Sequence, residues 1–363
     1  MLTILHIGNY KDPPMHGVAH AIGGLAEAEA ALGHEVHVYS PQRDFSSNDV
    51  AIARARGFRL HGRGSPVVTL IEKRLIDVAH IHYLFEPRHF RFGEALKQYR
   101  VPYVVSPHGA LDPMEFTRAR VKGLKKRAYL RLVDRRMLSR AAAIRCVTER
   151  EKARVSAVLP AVATRVIPNC VPGPPSQQRP ESGDGIRIGY LGRLDPYHKG
   201  LDLLAEVQES LLANGLAVEV VLAGKATERD RTSFEEFMNR RGDLNVRLVG
   251  PVHGEQKWSF LSGLTVYAQL SRWELFGISM IEAMLAGTPV LASASCDLAP
   301  ELGMRDLALV TPRDARSAAD LLATSLGDSG ALLRRASRAR RWAEETFAPR
   351  AVAAQSTCLY EGL

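Results

Sequence analysis

The chain has 363 residues, of which 46% are hydrophobic, and carries a formal net charge of +9. That length is long for one hydrophobic core and suits two domains of about 170 to 190 residues each. No apolar run approaches the ~18 residues that a membrane-spanning helix needs, and residues 1–7 lack the cationic start and cleavage region of a signal peptide. We therefore expect a cytoplasmic protein.

Neither the cysteines nor the acidic residues suggest a metal centre. The four cysteines, Cys146, Cys170, Cys296 and Cys358, are scattered without C-x-x-C spacing. This arrangement indicates neither a zinc site nor a disulfide framework. The chain also contains no Asp-x-Asp pair, which weighs against a site built around a carboxylate-bound divalent ion. We expect no metal and no cofactor.

Short β-rich runs alternate with helical ones, a pattern typical of α/β folds with doubly wound parallel sheets. The first set of predicted strands comprises residues 2–7, 35–40, 77–83, 102–106 and 142–147. The second comprises residues 186–191, 217–223, 246–249, 265–268 and 289–292. Between the two sets, residues 169–184 are dense in Pro, Gly and Ser and are predicted to be the interdomain linker.

Two glutamates separated by seven residues, Glu274 and Glu282, form the most informative motif. The surrounding segment predicts a polar loop and then an apolar helix that opens near Gly277 and ends at Gly287 as a left-handed cap. Glu282 then lies about two turns into the helix, and Glu274 lies just before its unpaired amides. Such a helix N-terminus attracts phosphate. Two flanking carboxylates suit a ligand with a central diphosphate and hydroxyls at both ends, such as a nucleotide sugar.

The alternative is that Glu282 is an ordinary helix residue and Glu274 a loop acid favoured near a helix N-terminus. The neighbouring residues favour the site, because the segment resembles the E-G-F-G-L-x-x-x-E-A-M-A-x-G-x-P-V signature of retaining GT-B glycosyltransferases of the GT4 family, the glycosyl transferases group 1. The residues that match in register are Glu274, Phe276, Gly277, Glu282, Ala283, Met284, Gly287, Pro289 and Val290. Leu275 replaces a glycine that is common there.

This resemblance implies a GT-B architecture of two Rossmann-like domains that face one another across a cleft. Residues 1–169 would bind the acceptor, residues 170–346 would bind the donor, and a C-terminal helix within residues 347–363 would pack back on the first domain. By the same resemblance, Glu274 contacts the transferred sugar and Glu282 the ribose. The backbone of Phe276, Gly277 and Ile278 would lie near the sugar and phosphates.

A second candidate lies in Gly192-Arg193-Leu-Asp-Pro-Tyr-His-Lys199-Gly200, a loop after a predicted strand. An arginine grips phosphate with two parallel hydrogen bonds and a lysine adds a mobile point charge, so the two cations suit a leaving diphosphate. The alternative is a pair of surface charges. Arg193 and Lys199 resemble the diphosphate site of the GT4 family in position, so we predict both as catalytic and donor-binding residues.

In the first domain, His108 follows a predicted strand in Ser-Pro-His-Gly. It resembles the H-G step of the GT4 family, whose histidine lies beside the transferred sugar, and we predict it in the reaction centre. The alternative is a structural histidine. His80 and His82 share one strand face, but without a third ligand they make a weak metal site.

Two loops depart from the GT4 pattern. The first strand-to-helix turn of the family usually carries two adjacent glycines. His16 replaces the first here, which leaves Gly17 as the predicted contact. Cys170 likewise replaces the glycine of a P-N-G motif. Both departures leave the geometry of these loops open.

Residues 117–140 carry ten basic side chains and one acid, a net charge of +9 that equals the charge of the whole chain. Apolar residues recur at helical spacing, at Val121, Leu124, Ala128, Leu132 and Leu138. A basic amphipathic helix of this kind could bind the anionic inner face of a membrane or a lipid-diphosphate acceptor. The alternative is a solvated helix with its apolar stripe in the core. No nucleic-acid-binding motif accompanies it.

The combined prediction is transfer of a hexosyl group from a nucleotide-diphosphate sugar to an acceptor hydroxyl with retention at the anomeric carbon. The resemblance favours a cell-envelope or exopolysaccharide glycan, or a lipid-linked acceptor. The alternatives are another GT-B enzyme, such as a nucleotide-sugar epimerase or an inverting transferase, and a non-enzymatic protein that binds polyanions or membranes. The sequence leaves the nucleotide, the sugar, the acceptor and the oligomeric state open.

Overall fold

Two parallel β-sheets, each flanked by helices, account for most of the regular structure in a computed structural model of the chain. The structure describes residues 1–11, 17–117, 120–175, 185–228, 230–240 and 245–363. The described chain divides into two units, Met1–Cys170 with Phe347–Leu363, and Val171–Thr346. Of the predicted linker, residues 176–184 lie outside the described residues.

The sheet of the first unit has the strand order β3-β2-β1-β4-β5-β6-β7, and its neighbouring strands are parallel. Its strands are β1 (Thr3–Ile7), β2 (Glu35–Tyr39), β3 (Arg59–His61), β4 (Val78–His82), β5 (Tyr103–Ser106), β6 (Ala143–Cys146) and β7 (Thr164–Val166). Starting from β1, the strands β2 and β3 are added on one side of the sheet, and the strands from β4 to β7 are added on the other side. The order therefore reverses between β1 and β4, the position where ligands bind open α/β sheets.

Helices of the first unit alternate with these strands. In chain order they are α1 (Gly17–Ala31), α2 (Ser47–Ala55), α3 (Val67–Glu72), α4 (Pro87–Gln98), α5 (Pro113–Thr117), α6 (Arg120–Tyr129), a π-helical turn (Leu130–Asp134), α7 (Arg135–Leu138) and α8 (Glu149–Val158). α2 begins with a capping box in which Ser46 and Asp49 exchange hydrogen bonds, which satisfies two amides that the helix itself leaves free.

The sheet of the second unit has the order β10-β9-β8-β11-β12-β13 and is also parallel. Its strands are β8 (Ile186–Leu191), β9 (Val218–Ala223), β10 (Val246–Gly250), β11 (Val266–Gln269), β12 (Val290–Ser293) and β13 (Leu309–Thr311). Its helices are α9 (Leu201–Ala213), α10 (Arg231–Arg240), α11 (Gly254–Ser262), α12 (Ile278–Leu285), α13 (Ala299–Met304), α14 (Ala315–Gly327) and α15 (Ser329–Thr346). The strand order reverses between β8 and β11.

The last helix, α16 (Pro349–Glu361), belongs to the first unit and packs on α1. Its Tyr360 is 4% exposed and packs with Ile4, Val78 and Val104 of the sheet. The Tyr360 hydroxyl lies 2.7 Å from His80 Nδ1. The end of the chain is thereby part of the core of the first unit.

All ten predicted strands are present, and each end lies within one residue of the expected position. The sequence did not predict β3, β7 and β13. Each has three residues, and β3 and β7 each contain an exposed arginine. Such short strands at or near a sheet edge are too brief to show an apolar run.

The single helix predicted over residues 117–140 is wrong. Residues 118–119 lie outside the described residues, and the remainder is α6, the π-helical turn and α7. The π turn buries Asp134, whose Oδ2 accepts a 2.9 Å hydrogen bond from the Phe85 amide. Apolar spacing does not reveal the extra residue that a π turn inserts, so the sequence pattern continued through it.

Candidate functional site

The predicted residues of the second unit collect where its strand order reverses. Arg193 and Lys199 lie in the loop after β8, and Glu274 lies in the loop after β11. These two strands are hydrogen-bonded neighbours at the reversal point. The loops at the carboxyl ends of such strands diverge and leave the crevice in which open α/β sheets bind ligands.

Lys199 and Glu274 form an ion pair at this edge, with Nζ donating to Oε2 at 2.6 Å. Gln269 Nε2 donates to the same carboxylate oxygen at 3.2 Å. Gly200 allows the loop after β8 to pack closely against the end of β11. It has a left-handed φ of 68°, and a Cβ there would lie 2.1 Å from the Leu270 carbonyl oxygen. The two sequence motifs that contain Lys199 and Glu274 therefore contact each other in the fold.

Arg193 has close protein partners. Its Nη1 donates to Asp230 Oδ2 at 2.9 Å, and its Nη2 lies 2.7 Å from His198 Nδ1 and 3.4 Å from Asp195 Oδ2. The prediction treated the arginine as available for phosphate and overlooked these acids. A bound diphosphate would compete with Asp230 and Asp195 for the guanidinium.

Aromatic stacking joins the two loops of the site. The rings of His198 and Trp273 stack with centroids 3.8 Å apart, and His198 Nε2 lies 3.2 Å from the Trp273 carbonyl oxygen. Arg272 makes two 2.8 Å hydrogen bonds to Asp202 and lies over the Tyr197 ring. Sequence reasoning did not single out these residues, although all of them except Asp202 lie inside the two predicted motifs. They fix the backbone that carries Lys199 and Glu274.

The N-terminus of α12 follows Glu274 at the same edge. Gly277 adopts a left-handed φ of 72° immediately before the helix, and Phe276 is 4% exposed and anchors the turn. The amides of Ile278 and Ser279 occupy the first helical turn, where a helix has no internal acceptor for them. This arrangement presents backbone donors of the kind that bind phosphate.

Glu282 is nearly buried on α12 and pairs with Lys257 of α11, whose Nζ lies 2.5 Å from Oε1. Burial raises the pKa of the Glu282 carboxyl, and Lys257 opposes this rise. Lys257 was not predicted, because nothing in its local sequence pattern marks it. Its positive charge favours the ionised form of a carboxyl that burial disfavours.

In the first unit, His108 lies after β5 with a left-handed φ of 51°. The next amide, of Gly109, donates to Glu151 Oε1 at 2.6 Å, and the other oxygen of Glu151 accepts from the Val147 amide at 2.8 Å. Glu151 is 1% exposed and was missed, although it stands three residues after the N-cap Thr148. A strained backbone held by a buried carboxylate is typical of a functional position.

His108, which is half-buried, is the outer member of a chain that continues through three fully buried side chains. His82 Nδ1 lies 3.0 Å from His108 Nε2, His6 Nδ1 lies 2.9 Å from His82 Nε2, and Glu29 Oε2 lies 2.6 Å from His6 Nε2. His6 is on β1, next to β4, and Glu29 is on α1. Burial lowers the pKa of His108 to about 3 and that of His82 well below its usual value.

The statement that His80 and His82 have no third potential ligand was wrong. His6 pairs with His80 in the parallel register, and His6, His80 and His82 form a cluster of fully buried imidazoles. However, every ring nitrogen of the three has a protein partner, since His80 contacts the Tyr360 hydroxyl and Ser106 Oγ. A metal would have to displace these hydrogen bonds, so the geometry favours a hydrogen-bonded cluster.

The two loop departures have different surroundings. Gly17 is the exposed first residue of α1, and a Cβ there would meet nothing within 4 Å. His16 lies outside the described residues. Cys170 is buried in a cluster with Leu25, Ile167 and Val352. A Cβ added at Gly24 would lie 3.2 Å from the Cys170 Sγ. Its thiol therefore packs in the core of the first unit.

The basic segment exposes most of its apolar stripe. Val121, Leu124 and Leu132 are 70%, 69% and 79% exposed, whereas Leu138 is fully buried. The alternative of an apolar stripe in the core is therefore wrong for α6 and the π turn, and right for α7. No helix among the described residues is both long and apolar enough to span a membrane.

Two doubly wound sheets, the second with paired cations and carboxylates at its reversal point, define a protein of the GT-B class. Two family models match adjacent parts of the chain: "Glycosyl transferase 4-like domain" over residues 16–170 and "Glycosyl transferases group 1" over residues 176–344. The two models together cover most of the chain, which is therefore a GT-B glycosyltransferase of the GT4 type.

Curated relatives match over limited segments. A phosphatidyl-myo-inositol mannosyltransferase of Mycolicibacterium smegmatis is 34% identical over 113 residues, covering 30% of this chain and 28% of the relative. A glycogen synthase of Mycobacterium tuberculosis is 26% identical over 189 residues, covering 52% of this chain and 45% of the relative. The match therefore spans less than half the length of either relative.

Solved structures match over the whole chain. Sucrose-phosphate synthase of Thermosynechococcus elongatus superposes with a TM-score of 0.78 at 22% identity, covering 100% of this chain and 99% of that one. Anabaena HepE, solved in complex with UDP and glucose, has a TM-score of 0.76 at 18% identity, with full coverage of both chains. At these identities the likeness establishes the GT-B fold.

Proposed function

We propose that this protein is a retaining glycosyltransferase that moves a hexosyl group from a nucleotide-diphosphate sugar to an acceptor hydroxyl. The observation that carries the proposal is the Lys199–Glu274 pair at the reversal point between β8 and β11. Lys199 supplies a cation for phosphate and Glu274 a carboxylate for sugar hydroxyls, and the two groups are hydrogen-bonded to each other. Membership of the GT4-type family supports the same reading.

In the proposed complex, Arg193 and Lys199 bind the diphosphate and neutralise it as it leaves. Both cations contact acids of the protein, and the ligand takes over the role of Asp230 and Glu274 as anionic partners. Stabilising charge that develops in the transition state contributes about 3 to 4 kcal/mol per well-placed donor. These cations fill the role that a divalent ion has in other donor sites, so we propose that no metal is required.

Glu274, released from Lys199, accepts hydrogen bonds from hydroxyls of the transferred sugar. Glu282 accepts from the ribose, and the backbone of Phe276, Gly277 and Ile278 donates to the phosphates and sugar. The left-handed turn at Gly277 and the free first turn of α12 support this assignment. His108 is proposed to contact the transferred sugar, and Gly17 to contact the substrate from the first turn of α1.

Transfer breaks the bond between the anomeric carbon and the phosphate oxygen and forms a bond to the acceptor oxygen on the same face. The acceptor hydroxyl proton passes to the leaving diphosphate, which Arg193 and Lys199 stabilise. Glu274 acts on the sugar hydroxyls and not as a covalent nucleophile. An inverted product anomer, seen by anomeric proton NMR, would refute this reaction class and favour the inverting alternative.

The acceptor is proposed to be a cell-envelope glycan or a lipid-linked precursor. Relatives include a phosphatidyl-myo-inositol mannosyltransferase and a poly(ribitol-phosphate) α-N-acetylglucosaminyltransferase. The exposed apolar residues of α6 and the π turn, surrounded by cations, support contact with an anionic membrane surface. The surface would bring the enzyme to a lipid-linked acceptor.

The first test is a thermal-shift titration of UDP, GDP, ADP and dTDP sugars without added metal. UDP sugars come first, because the similar HepE structure contains UDP and glucose. We expect one nucleotide class to stabilise the wild type and to lose this effect in the Arg193→Ala/Lys199→Ala variant. Arg305→Ala, which removes an exposed pair with Glu301, serves as the matched control. Stabilisation by none of the nucleotides would overturn the proposed donor site.

Salt-sensitive binding of polyanions that survives the loss of Arg193 and Glu282 would instead favour the non-enzymatic alternative. A nucleotide-sugar epimerase would change the free donor without an acceptor. Incubating the stabilising nucleotide sugar alone and analysing it by NMR therefore separates epimerisation from transfer.

A further inference from the structure

A hydrogen-bonded chain of side chains runs from Glu29 through His6 and His82 to His108. Its first contact joins the Glu29 carboxylate to His6, and each later contact joins the ring nitrogens of two neighbouring imidazoles. A neutral imidazole carries one N–H donor and one bare acceptor nitrogen. In an unbranched chain of such rings, the direction of the first hydrogen bond therefore fixes the direction of all the others.

The end at Glu29 determines that direction. An ionised carboxylate only accepts hydrogen bonds, so a neutral His6 places its one proton on Nε2 and leaves Nδ1 bare. His82 then donates from Nε2 to His6 and leaves its own Nδ1 bare. His108 must donate from Nε2 to His82, so its Nδ1 is left as an acceptor.

Charge and burial around the chain favour this direction. Arg145 on β6 is 1% exposed, and its positive charge interacts with Glu29. Burial lowers the pKa of His82 well below the usual value and that of His108 to about 3, so these two rings are uncharged at neutral pH. A one-way chain also requires a neutral His6, because a protonated ring would donate from both nitrogens and reverse the direction.

We propose that Glu29, acting through His6 and His82, is a positioning residue that holds His108 in the Nε2–H tautomer. His108 then presents Nδ1 as a hydrogen-bond acceptor for a substrate hydroxyl. Nδ1 has no partner among the described residues, and His108 is only half buried at the carboxyl edge of the sheet. The tautomer assignment stands on the hydrogen-bonded chain alone, whereas the contact with a substrate hydroxyl rests on the proposed function.

The neighbouring His80 provides an internal comparison. It stacks on His82 with ring centroids 4.1 Å apart, and its nitrogens contact the Tyr360 hydroxyl and Ser106 Oγ. Tyr360 also interacts with Glu29, so Ser106 is the partner through which His80 can be disturbed without touching Glu29. Ser106→Ala removes one hydroxyl, which lies 2.8 Å from His80 Nε2, and perturbs the same buried cluster without cutting the chain.

The decisive measurement is the ring ¹⁵N spectrum of the full-length protein with ¹⁵N-labelled histidine at pH 7.5. The signals of His108 are assigned by their loss in His108→Asn. We expect a proton on Nε2 and a bare Nδ1 in the wild type. A proton on His108 Nδ1 in the wild-type spectrum would overturn the proposal without the need for any variant.

Glu29→Gln tests the origin of this preference. An amide side chain can either accept or donate, so the direction is no longer imposed and His108 should populate both tautomers. Ser106→Ala should leave the His108 tautomer unchanged. An unaltered His108 tautomer in Glu29→Gln would overturn the proposal. Should this variant not fold, His6→Phe cuts the same chain at the next position with the same expected outcome.

Kinetics separate the two levels of the proposal. We expect Glu29→Gln to lower kcat/KM about tenfold, the loss of one oriented hydrogen bond to substrate, and Ser106→Ala to leave it near wild type. A shift in tautomer with unchanged kcat/KM would refute the contact between His108 and substrate while leaving the tautomer assignment intact. An absence of transferase activity in the wild type would count against the proposed function alone, because the NMR measurement does not require turnover.

Discussion

Lys199 Nζ lies 2.6 Å from Glu274 Oε2, although 75 residues separate the two along the chain. The pair joins the loop after β8 to the loop after β11, with side chains 15% and 18% exposed. Each residue thereby holds the other at the edge where the strand order reverses. Substrate binding by this site would exchange an internal ion pair for contacts to phosphate and sugar.

Replacing Lys199 by methionine should weaken binding of the nucleoside diphosphate at least tenfold and lower kcat by about 10² to 10³, because a cation that meets developing charge is lost. Calorimetry and initial rates measure the two effects. Arg305→Met removes a cation from a 3.1 Å pair elsewhere on the same unit and is the control. Equal effects of both substitutions would mean that Lys199 acts only through general charge.

Lys257→Met should move the pH dependence of donor binding. Burial raises the pKa of Glu282 and Lys257 opposes the rise, so the variant should have a still higher pKa at this carboxyl. As pH falls through that pKa, the ribose loses its anionic acceptor and affinity falls. The decline should therefore begin at higher pH in Lys257→Met than in the wild type.

Calorimetric titration of one nucleoside diphosphate from pH 8 to pH 5 tests this shift. Because the phosphates of the ligand titrate as well, each variant is compared with the wild type at every pH. Arg305→Met should follow the wild-type curve. Parallel curves for Lys257→Met and wild type would contradict the assigned role of Glu282.

The first unit should lose stability as pH falls below about 6.5. His80 and His82 are fully buried, and burial lowers the pKa of both well below the usual value. The unfolded chain takes up protons on these rings near pH 6.5 and the folded chain does not. Each ring should then remove about 1.4 kcal/mol of stability per pH unit below that value.

Denaturant-dependent hydrogen exchange of β1 and β4 peptides at pH 7.5, 6.5 and 5.5 measures this loss. His80→Gln should reduce the pH slope by one proton, whereas substitution of the exposed His253 should leave it unchanged. The three tryptophans, Trp258, Trp273 and Trp342, all lie in the second unit and report its unfolding separately. A pH-independent first unit would be inconsistent with neutral buried imidazoles.

Val121→Ser/Leu132→Ser should weaken binding to vesicles that contain phosphatidylglycerol and leave thermal stability within about 0.5 kcal/mol of wild type. These side chains are 70% and 79% exposed, so they contribute little to the core. Met304→Ser is the matched control, because Met304 is 82% exposed and lies in the second unit. Equal vesicle binding by wild type and the double variant would exclude this surface as the membrane contact.

Local patterns were sufficient to predict the two parallel sheets and the motifs of the second unit. Buried strands appear as apolar runs, and Glu274, Arg193 and Lys199 stand in short segments with fixed spacing to glycines. Local patterns did not predict the side chains that these residues contact. Asp230 and Lys257 contact Arg193 and Glu282 from other elements, and nothing in their own neighbourhoods marks them.

Hydrophobic periodicity and short motifs are local properties, so they were enough to predict the fold class, the family and the residue types at the edge between β8 and β11. Which residues contact one another depends on the tertiary fold. It placed Lys199 on Glu274, and it brought Glu29 of α1 to His6 of β1 and through His82 to His108. Parallel strands distant in sequence lie side by side in a doubly wound sheet, so contacts across β1, β4 and β5 depend on strand order and register, which no local pattern contains.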